Sequence, residues 1–179
     1  MPFDTVEQIW PEWRVVKELG RGSYGIVYEA ERVNAASAVH SAIKVIEIPA
    51  SESELETLRS EGITGSEART YFQEVVDQFA DEIYAMEAFK GNDNIVSIED
   101  FKVVEWKDRT AWTILIRMEL LTPFNTYISD RKLTEEEVLA LGCDICSALE
   151  LCERKNIIHR DIKPENLFVN QYGKFKLGD

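Results

Sequence analysis

The chain has no long apolar run. No stretch approaches the roughly eighteen consecutive apolar residues that a membrane-spanning helix needs, so we expect no direct membrane insertion in this segment. Its first residues, Met1 to Asp4, lack the basic and apolar regions of a secretory signal peptide. The sequence therefore predicts neither a membrane-spanning helix nor a secretory signal peptide in this segment.

Positive charge is also scarce. The chain has 20 Lys and Arg residues and 33 Asp and Glu residues, for a formal net charge of −13. Nucleic acids and anionic membrane surfaces attract basic proteins. The charge therefore argues against a nucleic-acid partner. It weakly favours basic protein substrates, although a solvated acidic surface is the simpler interpretation.

Cysteine is rare, and Cys143, Cys146 and Cys152 all fall in one predicted helix. Cys143 and Cys146 have the spacing of half a zinc or redox site, but no second Cys or His pair occurs at ligand spacing. Because cysteine is often a small buried hydrophobe, we predict that all three are packed in the core and reduced, and that the protein is cytoplasmic.

Runs rich in β-branched residues predict five strands, three before and two after a helical interruption. They are Trp13 to Leu19, Ile26 to Val33, Ala38 to Ile48, Ile95 to Trp106 and Ala111 to Leu120. The interruption holds a short helix, because Ser51-x-x-Glu54 and Ser53-x-x-Glu56 are spaced as capping boxes. After breaks at Gly62 and Gly65, a longer helix begins near Ser66, with apolar residues every three or four positions: Phe72, Val75, Val76, Phe79, Ile83 and Met86.

The chain becomes helical after Pro123. A short helix is predicted near 124–129, and a long one from Thr134, which forms a capping box with Glu137. Residues 167–170 and 174–177 then read as a small hairpin. The predicted apolar stripe of the long helix is Val138, Leu141, Ile145, Leu149 and Cys152.

Residues 159–166, His-Arg-Asp-Ile-Lys-Pro-Glu-Asn, are the most informative stretch. On a loop, Asp161 can accept a hydroxyl proton while the carboxamide of Asn166, five residues later, holds Mg²⁺. Lys163 can reach the phosphate as it transfers. The alternative is a buried ion-pair cluster beside a helix end.

This stretch resembles the catalytic loop of serine/threonine protein kinases. Three glycines between two predicted strands, Gly20, Gly22 and Gly25, resemble the glycine-rich loop of that family, and Ala42-Ile43-Lys44 resembles its Ala-x-Lys strand. Asp179 lies 18 residues after Asp161, where the family has the Asp of its Asp-Phe-Gly metal motif.

The resemblance implies catalytic roles. Asp161 would be the base, Lys163 would steady the phosphate, and His159 and Arg160 would be structural members of the loop. Lys44 would be held against the phosphates by an acidic partner on the following helix. Glu82 fits best, because it shares a face with Phe79 and Met86, and Asp81 and Glu87 are its rivals. The 38 residues from Lys44 to Glu82 are long for the family, because of the extra helix.

The implied cofactors are ATP and Mg²⁺. The three glycines would cover the phosphates, and Asn166 and Asp179 would bind the metal. In the resemblance Met118 is a gatekeeper residue, and the backbone of Glu119 and Leu121 would pair with the adenine edge. Val27, Ala42 and Phe168 would enclose the ring, and Asn125 would contact the ribose.

The implied fold is α+β and protein-kinase-like: a five-stranded antiparallel N-lobe with its helix and the hinge in residues 1–121, including a helical insertion at about 51–65, then a partial helical C-lobe in 122–179. The implied function is phosphoryl transfer to Ser or Thr of a protein substrate. Because the chain ends at Asp179, we expect an inactive truncated fragment that self-associates through an exposed C-lobe surface. A nucleotide-binding pseudokinase or interaction module and a small-molecule phosphotransferase are the alternatives, although Lys163-Pro164-Glu165 argues against the latter.

Overall fold

The five predicted strands pair into one sheet, which confirms the α+β expectation. The computed structural model describes residues 2–22, 24–33, 37 and 39–178. Neighbours β1 and β2, β2 and β3, and β4 and β5 run antiparallel. In chain order the strands are β1 (Trp13–Gly22), β2 (Gly25–Arg32), β3 (His40–Ile48), β4 (Ile98–Trp106) and β5 (Ala111–Glu119), with sheet order β1-β2-β3-β5-β4.

Two helices lie between β3 and β4, as predicted: α2 (Glu52–Ser60) and α3 (Ser66–Glu87). Apolar residues of α3 recur at helical spacing, and Phe72, Val76 and Ile83 are buried in one cluster with residues of β3, β4 and β5. The sheet and α3 therefore share a hydrophobic core.

The predicted capping boxes of α2 are wrong. Ser51 is the N-cap, but its hydroxyl lies 2.7 Å from the Ser53 hydroxyl and caps no backbone N–H. The Glu54 carboxylate instead accepts a hydrogen bond of 2.8 Å from the Ala50 N–H. Short polar side chains can bond to one another as readily as to the helix end, and sequence spacing does not reveal which bond forms.

A helix that we did not predict, α1 (Pro2–Ile9), precedes the sheet. Val6, Ile9, Trp10 and Trp13 are buried with Tyr28, Ile43 and Leu115. Their spacing of three and four residues was a helical signal in the sequence.

The second part of the chain contains α4 (Phe124–Tyr127), α5 (Glu135–Arg154) and a small sheet of β6 (Thr122–Pro123), β7 (Leu167–Val169) and β8 (Phe175–Leu177). The capping box at the start of α5 is confirmed, because the Glu137 N–H donates to Thr134 Oγ1 and the Thr134 N–H donates to Glu137 Oε2. The hairpin of β7 and β8 is confirmed as well.

The predicted apolar stripe of α5 is confirmed except at Val138, which is exposed. Cys152 is buried in a core cluster, and Leu141, Ile145 and Leu149 are half-buried against it. Asp144 and Ala148 are also buried, although they were not predicted. Asp144 points inward because its carboxylate accepts from the Phe175 N–H, at 3.0 Å, and from Lys174 Nζ, at 3.2 Å. Cys143 and Cys146 are exposed, so core packing is confirmed for Cys152 only.

The chain divides into two compact units. One comprises Met1–Ala88 and Ile98–Met118, and the other Phe89–Ser97 and Glu119–Asp179. Within the described ranges, every helix is too short or too polar to cross a membrane.

Candidate active site

Three side chains of the loop after α5 form a tight cluster. Lys163 Nζ lies 2.7 Å from Asp161 Oδ2. Asn166 Nδ2 donates to the same oxygen, at 3.0 Å, and to the Asp161 main-chain carbonyl, at 2.8 Å. The sequence motif therefore places a carboxylate, an ammonium and an amide at one point.

The cluster keeps Asp161 ionised. The hydrogen bond from Lys163 is the main cause that holds the pKa of this exposed carboxyl below its usual value, and the bond from Asn166 and the charge of Lys163 add to it. No described residue donates to the second oxygen, Oδ1. Asp161 therefore presents an ionised carboxylate whose contacts with Lys163 and Asn166 are both made through Oδ2.

Asn166 is buried in a 3₁₀ turn, Pro164–Asn166. Its N–H donates to the Lys163 carbonyl, and its own carbonyl accepts from the Gly178 N–H, both at 2.9 Å. Within the described chain, its side-chain oxygen Oδ1 accepts no hydrogen bond. Mg²⁺ is coordinated by oxygen ligands, and an amide oxygen can be one of them. Asn166 Oδ1 therefore fits one position in the coordination shell of a magnesium ion. The second predicted ligand, Asp179, lies outside the described residues.

The rest of the loop is tied to the end of β8. His159 Nε2 lies 3.2 Å from the Gly178 carbonyl oxygen, and the Asp161 N–H donates to His159 Nδ1 at 3.4 Å. Arg160, between them, has a φ of +66°, a left-handed conformation that costs about 1–2 kcal/mol for a residue with a Cβ. Hydrogen bonds on both sides hold this strained residue in place.

Gly178, directly after β8, is closely packed against its neighbours. A Cβ added there would lie 2.9 Å from the Phe168 ring and 2.9 Å from Val96 Cγ2. Phe168, a predicted adenine contact, is half-buried against this glycine. A side chain at this position would therefore require the Phe168 ring or Val96 to shift.

The glycine-rich segment forms the predicted strand–turn–strand. Gly20 is paired with Val27, and Val27 with Lys44, so the three residues form one row across β1, β2 and β3. Gly22 is paired with Gly25, whose φ is +132°. A Cβ on Gly25 would lie 2.2 Å from the Val45 carbonyl oxygen, so this turn excludes every other residue type.

Lys44 and Glu82 are not brought together. No ion pair joins them in the part of the chain that the structure describes. Lys44 is half-buried on β3, whereas Glu82 and Asp81 are exposed on α3 and Glu87 is half-buried. The glycine-rich turn does reach α3, because the Tyr24 and Phe79 rings pack edge to face at 5.9 Å. The pairing of Lys44 with Glu82 stays a prediction.

The predicted adenine and ribose contacts differ in burial. Ala42 is buried and Val27 half-buried in the first unit, where Met118 packs against the core. In the second unit, Glu119 and Leu121 are half-buried and Asn125 is exposed on α4. A cavity of about 670 Å³ in the first unit lies beside α2, and none of the described candidate residues lines it.

Sequence reasoning missed one charged residue near these positions. Lys176, on β8, is buried, and its Nζ lies 2.6 Å from Glu119 Oε1. A lysine between Phe175 and Leu177 in a predicted strand was the available signal, because a buried ammonium needs an acidic partner.

Comparison with known proteins identifies similar sequences. A family model described as a protein kinase domain matches residues 13–179. The chain is 28% identical to Aurora/IPL1-related protein kinase 2 of Caenorhabditis briggsae, over 94% of this chain and 47% of that protein. It is 30% identical to serine/threonine-protein kinase Pkn1 of Myxococcus xanthus, over 88% of this chain and 19% of that protein. It is 30% identical to mitogen-activated protein kinase spm1 of Schizosaccharomyces pombe, over 99% of this chain and 37% of that protein. The chain thus spans less than half the length of these relatives.

Proposed function

Because the chain belongs to the protein kinase domain family, we propose that it carries the residues that transfer the γ-phosphoryl group of ATP to a Ser or Thr hydroxyl of a protein. The observation that carries the proposal is the cluster of Asp161, Lys163 and Asn166. It brings a carboxylate, an ammonium and an amide within a few ångströms of each other. In the proposal these groups would accept the hydroxyl proton, contact the phosphate and bind the metal.

Asp161 would orient and deprotonate the substrate hydroxyl. The hydroxyl oxygen forms a bond to the γ-phosphorus, the bond from that phosphorus to the β,γ-bridging oxygen breaks, and the hydroxyl proton moves to Asp161 Oδ1. A carboxylate with a lowered pKa is a weak base, but little proton transfer is needed before the loose transition state of phosphoryl transfer. Holding the hydroxyl in line is therefore its main contribution.

The first unit would bind the phosphates of ATP. The backbone N–H groups of the turn from Gly20 to Gly25 would cover them, and the row Gly20–Val27–Lys44 places the Lys44 ammonium on the strand beside that turn. Because Gly25 packs directly against Val45, the turn is anchored to the strand that carries Lys44.

The second unit would supply the metal ligands and the adenine edge. We assign Asn166 Oδ1 and Asp179 as the Mg²⁺ ligands. When bound, Mg²⁺ neutralises charge that develops on the phosphates. The backbone of Glu119 and Leu121 would pair with adenine, and Asn125 would contact the ribose. Met118, Val27, Ala42 and Phe168 are the proposed apolar contacts of the base.

A protein Ser or Thr is the proposed acceptor on two grounds. The Asp-x-Lys-Pro-Glu-Asn form of residues 161–166 resembles the serine/threonine branch of the family, and one relative named above is a serine/threonine-protein kinase. The net charge of −13 favours basic segments around the acceptor residue.

One observation favours a second candidate, nucleotide binding without transfer. Glu82 is exposed, and the described residues show no ion pair between it and Lys44, so the pairing proposed for Lys44 is not formed in this state. A pseudokinase or interaction module would hold ATP with the same glycines and adenine contacts.

Acceptor competition tests the proposal. The full-length protein is incubated with radiolabelled ATP and Mg²⁺, with a basic protein or with small alcohols as the acceptor, and the labelled residues are identified after hydrolysis. We expect phosphoserine or phosphothreonine and no labelled small alcohol. Label on small alcohols alone would indicate a small-molecule phosphotransferase. Mg²⁺-dependent ATP binding without any label would favour the second candidate.

A further inference from the structure

Lys176 is a buried cation that the proposed reaction does not use. Its side chain is 7% exposed, and its Nζ has three oxygen partners: Glu119 Oε1 at 2.6 Å, the Asn92 carbonyl at 3.3 Å and the Ile95 carbonyl at 3.4 Å. A lysine buried this deeply persists only where such partners compensate for lost hydration. The three oxygen atoms therefore compensate the Lys176 ammonium for its burial.

The acidic partner, Glu119, is fixed from two directions. Its Oε1 also accepts a hydrogen bond of 2.7 Å from the Ser97 N–H, and its own N–H donates to the Ser97 carbonyl at 3.3 Å. Lys176 thus closes a ring of contacts around the residue that ends β5. Any change in the Glu119 side chain would be transmitted to the backbone at this point.

The residue that follows the strand of Lys176 contacts the catalytic loop. The Leu177 N–H donates a hydrogen bond to the Asn94 carbonyl, and the Leu177 carbonyl accepts one from the Val96 N–H. Gly178, two residues after Lys176, donates to Asn166 and lies beside His159. One ammonium group therefore links Glu119 to the strand that precedes the proposed metal ligand.

We propose that Lys176 is a positioning residue for the nucleotide base: through Glu119 it fixes the backbone carbonyl that receives the adenine amino group, and so it sets the preference for adenine. This inference rests on the proposed function, because it takes the Glu119 carbonyl as the adenine contact. It assigns to Lys176 an effect on recognition of the base and none on recognition of the phosphates.

A purely stabilising role makes a different prediction. If Lys176 only stabilised the fold, its replacement would lower the melting temperature and weaken ATP and ITP binding equally. ITP has a carbonyl where adenine has its amino group, so it cannot donate to the Glu119 carbonyl. The ratio of ITP to ATP dissociation constants therefore reports the position of that carbonyl.

The test measures binding of MgATP, MgITP and magnesium tripolyphosphate to the purified chain by calorimetry. We expect the wild-type chain to bind ATP about tenfold more tightly than ITP. This ratio corresponds to one hydrogen bond that the Glu119 carbonyl accepts from ATP and cannot accept from ITP. In Lys176→Met the ratio should fall to about twofold or less, while tripolyphosphate binding stays within about twofold of wild type. Lys174→Met is the matched control, since Lys174 lies on the same hairpin but pairs with Asp144, and it should keep the full ratio.

A second variant guards against misfolding. Lys176→Met leaves the Glu119 carboxylate without its ammonium, whereas Lys176→Met with Glu119→Gln leaves no buried charge and is expected to melt close to wild type. This double variant should also lose the preference for ATP. Full retention of the ratio in either folded variant would overturn the inference and leave a structural role. Wild type that binds tripolyphosphate and ATP without preferring ATP to ITP would also overturn it, whereas wild type that binds no nucleotide would overturn the proposed function itself.

Discussion

The catalytic loop and the Lys44–Glu82 pair both contribute charged side chains to the proposed reaction. The side-chain contacts of the loop are formed in this structure, whereas an ion pair between Lys44 and Glu82 is not formed among the described residues. In the loop, Asp161, Lys163 and Asn166 are within five residues of each other and already share hydrogen bonds. Lys44 and Glu82 are 38 residues apart, on a strand and a helix, and no ion pair joins them in the described chain. The loop is assembled by local backbone geometry, whereas the pair depends on where α3 lies.

The loop contacts form between residues close in sequence, whereas the Lys44–Glu82 contact requires two distant elements to approach each other. The 3₁₀ turn Pro164–Asn166 brings the amide of Asn166 back onto Asp161, and short sequence distance makes the closure inexpensive. The side chain of Glu82 must instead cross from the exposed side of α3. Such an adjustment is of the kind that a bound ligand can drive by differential affinity for two states.

Removal of the Asp161 carboxylate should have the largest effect on activity. In the full-length protein, Asp161→Ala is expected to lower kcat for protein phosphorylation by about 10³-fold with little change in the dissociation constant of MgATP, because the base acts on the acceptor hydroxyl. Asp108→Ala, in the exposed β4–β5 turn, is the control and should leave kcat unchanged. Retention of more than about a tenth of wild-type kcat would remove Asp161 from the mechanism.

A substitution at Gly25 in the glycine-rich turn should have the next largest effect. Gly25→Ala puts a Cβ against the Val45 carbonyl at a positive φ, so we expect a loss of about 2 kcal/mol or more in the free energy of unfolding and weaker MgATP binding. Urea denaturation of the purified chain measures the first effect.

Gly20→Ala is the matched control for this variant. No atom lies within 4 Å of a Cβ added at Gly20, so its stability should stay close to wild type. Equal destabilisation by the two substitutions would contradict the packing described for Gly25.

A double-mutant cycle sharpens the comparison between the loop and the pair. With Lys44→Met and Glu82→Gln, we expect a coupling energy near zero in the free energy of unfolding without nucleotide. In the free energy of MgATP binding the coupling should rise to about 1 kcal/mol, because the nucleotide would favour the paired state. Asp81→Asn in place of Glu82→Gln is the control. A coupling to Asp81 or Glu87 that exceeds the coupling to Glu82 would reassign the partner.

Sequence patterns that act over a few residues predicted the structure well. The Thr134–Glu137 capping box, the strand–turn–strand at Gly22–Gly25 and the β7–β8 hairpin are all present. Their geometry is decided by neighbours in sequence, which a single chain displays directly.

The predictions that were wrong had two causes. The capping boxes of α2 failed locally, because the Ser51 hydroxyl is hydrogen-bonded to the Ser53 hydroxyl. On α5, the buried Asp144 accepts hydrogen bonds from Lys174 and Phe175, thirty residues later, whereas Cys143 and Cys146 are exposed. The buried Lys176 depends likewise on Glu119, at the end of another strand. The cytoplasmic location, the self-association and the inactivity of the chain by itself stay predictions.

Self-association is open to a simple test. Val138 and Leu139 are exposed on α5, at 53% and 63%, and are the residues of this helix through which we expect chains to associate. Light scattering should show a dimer or larger species, and Val138→Glu with Leu139→Lys should shift the chain toward monomer. A wild-type chain that is monomeric at high concentration would refute the prediction.

The Asp161 titration is the measurement that tests the assembled loop most directly. A carboxyl with a lowered pKa in the folded state contributes stability above its unfolded pKa, near 4, and loses that contribution as pH falls through the folded value. Carbon NMR of the Asp161 carboxyl in the purified chain should therefore show no titration between about pH 5 and 8, with a midpoint below the usual Asp value. Lys163→Ala should raise the midpoint, because Lys163 is the main cause of the shift, and Lys132→Ala, on the exposed segment before α5, should not. A wild-type midpoint at or above the usual value would contradict the account of an ionised base held ready by Lys163 and Asn166.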